Sequence, residues 1–136
     1  MTKEDKDLLL RDLCSRLPYG VKMNHIADDE YSPNTLIGIA KDMITLEGLG
    51  GYECVNVEHY KPYLFPLSSM TPEQRKEYES LCIEKTSECN DLYDIVFAKD
   101  YYDTIESIEF LYKNHIDIKG LIPKGRAIDA TNLNIY

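Results

Sequence analysis

Between Gly20 and Val57 the chain alternates short apolar segments with connections of only a few residues, and this spacing constrains the fold more than any other feature. Parallel neighbours need a crossover of a dozen or more residues, whereas antiparallel neighbours can be joined by a tight turn. Gly20 to His25 places Val21 and Met23 on one side and Lys22 and Asn24 on the other, as a half-buried strand does. Asp28-Asp29-Glu30 with Ser32-Pro33-Asn34 reads as a polar loop. Thr35 to Ile39 and Met43 to Glu47 follow as strands around a turn at Lys41-Asp42. Gly48, Gly50 and Gly51 supply a permissive backbone for the reversal into Tyr52 to Val57. The expectation is an antiparallel meander of three or four strands.

Helical periodicity flanks this region. Thr2 is placed to cap a first helix, with Glu4, Asp5 and Asp7 near the positive end of its dipole. Leu10, Leu13, Cys14 and Leu17 recur at i, i+3, i+4 and i+7, so that stripe is expected to face the core, and Pro18 and Gly20 end the helix near Leu17. Tyr60 to Leu67 carries Pro62 and Pro66; because a proline deletes a ladder donor, the segment reads as an extended crossing over the core rather than a central strand. Ser69 and Thr71 are candidate caps for the next helix, Pro72 suits its first position, and Thr71-Pro72-Glu73-Gln74 has the capping-box pattern, with Tyr78, Leu81 and Cys82 as the buried stripe. Leu92 to Phe97 is ambiguous between helix and strand and is read as helix. Asp103 or Thr104 caps a further helix with Ile105, Ile108, Leu111 and Tyr112 on one side. The tail predicts a tight turn around Gly120 to Gly125 and a short strand at Arg126 to Asp129.

Together these elements predict an α+β fold: an N-terminal helix, a three- to four-stranded antiparallel meander, then two to three helices packing on it. With 136 residues and no linker, the expectation is a single domain, 1–136, around a single hydrophobic interior.

Charge and composition narrow the function classes. The formal net charge is −9. From Glu73 to Glu109 eleven acidic residues stand against four basic ones, whereas from Phe110 to Tyr136 four basic residues stand against two acidic ones. Nucleic-acid binding is disfavoured, since such proteins present a basic face to phosphates. The acidic stretch reads as a solvated helix face, with charge imitation of nucleic acid as a weaker alternative. Eleven tyrosines, three phenylalanines and no tryptophan suit half-buried faces and contact surfaces, where the ring packs and the hydroxyl stays wet. The N-terminal segment lacks an apolar stretch behind a basic one, and no run suits a bilayer crossing, so a cytoplasmic location and no membrane partner are expected. Cys14, Cys54, Cys82 and Cys89 form no CxxC pair and are read as small buried apolar residues without a metal.

Three stretches carry a likeness. Lys61-Pro62-Tyr63-Leu64-Phe65-Pro66-Leu67-Ser68-Ser69-Met70-Thr71, the later Asp117-Ile118-Lys119-Gly120-Leu121-Ile122-Pro123-Lys124-Gly125, and the opening Leu8 to Lys22 resemble a family of small proteins abundant in gut Bacteroidetes, their prophages and their phages. The likeness spans beginning, middle and end, leaving out about Lys85 to Tyr102. It implies a mobile-element setting rather than an activity, and it carries over no catalytic residue.

Chemical motifs are absent: there is no GxxxxGK[ST], GxGxxG, GxSxG or HExxH. His25, His59 and His115 sit in separate segments and read as structural, although His25 is near Asp28 and Asp29 and His59 follows Glu58. Ser68-Ser69 precedes a helix and reads as capping. Lys124 and Arg126 flank Gly125 and read as surface residues, with anion binding at the turn as the alternative. No catalytic, cofactor-binding or metal-ligating residue is assigned, and no cofactor is expected. The preferred function is an acidic accessory protein that binds a protein partner or pairs with itself as a homodimer. The alternative is an enzyme or small-ligand binder whose site gathers dispersed residues, a histidine, two carboxylates and Arg126 among them.

Overall fold

The computed structural model of the chain describes residues 1–27, 33–48, 50–84 and 101–136. Helix α1 (Lys3–Arg16) starts where Thr2 Oγ1 accepts a 3.1 Å hydrogen bond from the Asp5 amide, and a short 3-10 turn at Leu17–Tyr19 ends on Gly20 in the left-handed region. Its buried stripe is Leu9, Asp12, Leu13 and Arg16. The expected spacing is present, but one residue out of phase with Leu10, Leu13, Cys14 and Leu17; Cys14 is exposed. The shift arises because Asp12 and Arg16 neutralise each other and so occupy core positions that sequence alone assigns to apolar side chains.

Four strands, β1 (Lys22–His25), β2 (Asn34–Ala40), β3 (Met43–Gly48) and β4 (Gly51–Asn56), form the antiparallel meander. The sheet is larger than expected. Strand β5 (Tyr60–Leu64) pairs antiparallel with β1, and the order of the six-stranded sheet, β4-β3-β2-β1-β5 followed by β8 (Ile128–Asp129), ends on a parallel strand near the C-terminus. The expectation that the proline-bearing segment is no central strand is therefore overturned, and the register explains why. Ile26 N donates to His59 O at 2.9 Å, which makes that pair a hydrogen-bonded one; by alternation Met23↔Pro62 is a non-hydrogen-bonded pair. The Pro62 nitrogen thus points away from β1, towards a neighbour whose ladder begins only at Tyr63. No ladder donor is lost.

After β5, Thr71 and Gln74 close a reciprocal capping box at 3.1 and 3.0 Å on helix α2 (Pro72–Leu81), while the Ser69 hydroxyl donates instead to Pro66 O. Strands β6 (Ile83–Glu84) and β7 (Tyr101–Tyr102) pair antiparallel, and Thr104 caps helix α3 (Ile105–Lys113). The anticipated helix at Leu92 to Phe97 lies outside the described residues. Helices α2 and α3 are stitched together by the Tyr78 hydroxyl, which donates to the Asp103 carboxylate, and by Thr104 Oγ1, which donates to Leu81 O at 2.6 Å. Ile105, expected in the buried stripe of α3, is 75% exposed. Strand β8 (Ile128–Asp129) completes the sheet.

The single interior expected from the sequence is instead two clusters of buried residues. Leu9 and Leu13 of α1 seal Val21, Met23, Leu36, Ile44, Leu46 and Leu64 on one face of the sheet. Tyr78, Leu111 and Ile116 gather with Phe65, Leu67 and Met70 where α2 and α3 meet the end of β5. A polar knot stands where α1 reaches the second cluster. Arg16 Nε and Nη2 donate to the Asp12 carboxylate at 2.6 and 3.2 Å, Nη2 also donates to Ile116 O at 2.6 Å, and the guanidinium lies 4.9 Å from the centre of the Tyr112 ring.

Candidate functional site

The residues that the sequence offers for chemistry are mostly held in structural roles. Ser68 is exposed and Ser69 is bonded as described. Arg126 Nη2 donates to Asp5 at 3.1 Å, tying the tail to the start of α1 rather than to Lys124 in an anion site. The hollow that Arg126 lines, about 300 Å³, contains Glu58 and Lys61 but no histidine. Cys14 and Cys54 are exposed and Cys82 half-buried, which corrects the expectation of buried thiols; Cys89 lies outside the described residues. Among the described residues no group of three or more His, Cys, Asp or Glu side chains is placed to hold a metal ion.

His25 and His59 do meet. Pairing of β1 with β5 stacks their rings with centroids 6.2 Å apart, Tyr60 packs edge-on to His25, and His25 Nδ1 accepts from Ala27 N at 3.0 Å. The β1–β5 register is the missing information that makes them look separate in sequence. Asp28 and Asp29 lie outside the described residues.

His115 occupies a different setting. Its backbone has φ +60°, a strained conformation for a residue with a side chain, and its ring stacks on Tyr136 at 3.6 Å. The Tyr136 hydroxyl accepts from Lys22 N at 2.9 Å and donates to Tyr63 O at 2.8 Å, so the last residue is pinned to the sheet. Burial, with Arg16 and Lys22 nearby, pushes the His115 pKa down to about 4, and among the described residues its buried Nδ1 has no hydrogen-bond partner. A hollow of about 370 Å³ opens beside it, lined by Gln74, Lys113, Asn114, Thr131 and Asn132. Among the described residues no Asp or Glu side chain lines it.

The feature least explained by internal packing is the outer edge of the sheet. Val57 N donates to Asp42 O at 2.9 Å, in register with the β3–β4 pairing, so Ile44↔Val55, Leu46↔Glu53 and Gly48↔Gly51 are the hydrogen-bonded pairs. The N–H and C=O groups of Tyr52 and Cys54 and the N–H of Asn56 therefore point away from β3, and no described strand pairs with them; the Asn56 carbonyl instead begins the 3-10 turn Val57–His59. Gly51 to Cys54 are exposed, with Tyr52 at 73%. Natural edges are usually blunted by lysine, proline, a bulge or shortness. Of these, β4 carries no lysine, proline or bulge and is six residues long; its one charge is Glu53, on the face shared with Ile44 and Leu46. The opposite edge, β8, is two residues long. Sequence alone shows β4 as a strand but not that it ends the sheet.

Two of the three passages that carry the family likeness serve the scaffold directly. One supplies β5 and the α2 cap. In the other, the buried Asp117 carboxylate accepts from Leu121 N at 2.8 Å and Ile122 N at 2.9 Å, holding the turn that leads to β8. No helix among the described residues is long and apolar enough to cross a membrane. Neither a protein-family model, nor a curated protein, nor a solved structure matches the chain.

Proposed function

We propose that this chain is an accessory interaction protein of a mobile element or phage, and that it works by offering the open edge of β4 to an extended segment of a partner. The observation that carries the reading is the run of outward backbone groups at Tyr52, Cys54 and Asn56 on an exposed strand that has no lysine, proline or bulge. Strand addition takes its affinity from main-chain hydrogen bonds and its selectivity from the side chains beside them. Tyr52, with its exposed ring, and Met43, 39% exposed on the adjacent strand, supply apolar contact on that side of the sheet. The net charge of −9 favours a protein over a phosphate backbone as the partner. The likeness to proteins of Bacteroidetes prophages and phages supplies the mobile-element part of the reading.

The test is a selection of linear peptides from a display library on the full chain, immobilised too sparsely for two copies to meet. Selected peptides are expected to slow amide hydrogen exchange at Tyr52, Cys54 and Asn56 and to lose binding in Cys54→Pro, which removes one outward donor. An empty selection, or binders indifferent to Cys54→Pro, overturns the reading.

A further inference from the structure

We infer that the occupant of the β4 edge is a second copy of this chain, paired antiparallel about a twofold axis at Cys54. The inference rests on the edge-docking reading above and names its partner. Among the described residues of β4, Tyr52, Cys54 and Asn56 are the ones with outward backbone groups, so a partner β4 must bring the same three residues into hydrogen-bonded pairs. One register engages all three at once: Tyr52 opposite Asn56 of the other copy, Cys54 opposite Cys54, and Asn56 opposite Tyr52. The central Cys54 pair exchanges both main-chain bonds, and each flanking pair gains the bond from Asn56 N–H to Tyr52 C=O.

The same register suits the side chains. Glu53, the one charged residue of β4, lies opposite Val55 of the other copy. Of the two slips by two residues that the backbone permits, one brings Glu53 against its own copy, where like charges directly opposite are destabilising, and the other pairs Cys54 with Asn56 and leaves Tyr52 beyond the end of the partner β4. Tyr52, Cys54 and Asn56 also share one face of β4, opposite to the face shared by Ile44 and Leu46 of β3, so the pairing continues both faces across the axis.

Closure distinguishes a second copy from a foreign strand. A foreign strand added to β4 presents a new open edge of its own. Two copies joined at β4 bury that edge in both, and the edges left are the two β8 strands, each two residues long.

Sedimentation equilibrium of the full chain over a wide concentration range reads the outcome. Wild type is expected to show a monomer–dimer equilibrium and Cys54→Pro a monomer. Two double variants read the register. Asn56→Asp retains an oxygen to accept from Glu58 N, the bond that Asn56 makes at 2.9 Å. Combined with Tyr52→Lys it places opposite charges across the axis; combined with Tyr52→Asp it places like charges there. The first is expected to dimerise about tenfold more tightly than the second, with thermal melts showing that both are folded. A wild-type monomer at every concentration, or a dimer indifferent to both double variants, overturns the inference. A monomer that still binds selected peptides at β4 overturns self-pairing alone, and a monomer that binds none overturns the edge-docking reading with it.

Discussion

Replacing Asp12 by alanine tests the polar knot between α1 and α3. Asp12 and Arg16 are one turn apart and both side chains are fully buried. The same i, i+4 spacing joins Arg75 to Glu79 at 3.4 Å on the surface, with side-chain exposures of 53% and 35%, and provides an internal control. An exposed pair of that kind contributes about 0.3–0.5 kcal/mol. In Asp12→Ala a guanidinium that cannot deprotonate stays buried against Ile116 O and the Tyr112 ring without its carboxylate, a loss of about 3–5 kcal/mol. Set against a total stability of about 5–15 kcal/mol for an ordinary domain, that is a large fraction. Arg16→Met leaves the Asp12 carboxylate buried without its partner and removes the donor to Ile116 O. The double variant Asp12→Ala/Arg16→Met removes both charges and leaves mainly the Ile116 carbonyl short of a donor, about 1–3 kcal/mol. Urea unfolding of the four proteins at neutral pH, with Glu79→Ala as the surface control, gives the coupling energy. A loss below about 1 kcal/mol for Asp12→Ala, or additive single-variant losses, refutes the argument, because either means that water reaches the pair.

Two further perturbations are independent of that knot. The folded pKa of His115 is about 4 against an unfolded value near 6.5, so from about pH 6.5 down to pH 4 the unfolded chain binds the proton first and stability is lost as pH falls. After discounting for the ring's partial exposure, this contributes about 1–2 kcal/mol; urea midpoints across that window should fall more steeply in wild type than in His115→Asn, and parallel slopes refute it. Tyr78→Phe should cost about 1–3 kcal/mol in thermal or urea unfolding, since the buried hydroxyl bonds the Asp103 carboxylate where α2 meets α3; a neutral effect shows that Asp103 needs only Ser107, whose hydroxyl it also accepts at 3.1 Å.

The parts of the site that were readable in the sequence are those set by local chemistry. Strand β4 is bounded by glycines and is legible as a strand, and its lack of lysine and proline is plain. Its position at the end of the sheet was not, because sheet order depends on where β5 returns. The return of β5 beside β1 was hidden by Pro62, whose consequence depends on which way its nitrogen faces in a register that no local rule supplies. The stacking of His25 on His59 follows from that same pairing.

By itself the sequence determined the cap at Thr2, the capping-box pattern at Thr71, the antiparallel meander from Lys22 to Asn56 and the turn around Gly120 to Gly125, since each depends on side chain–backbone bonds or turn lengths within a few residues, while it left Asp103 beside Thr104 as the cap of α3. Only the tertiary structure decided that Asp12 and Arg16 are buried, that the interior is divided into two clusters, and that Tyr136 is pinned to β1 and β5. Those outcomes join positions up to 114 residues apart. A charged or aromatic side chain carries no mark of whether a distant segment will supply its partner, so its burial is settled only when the segments meet.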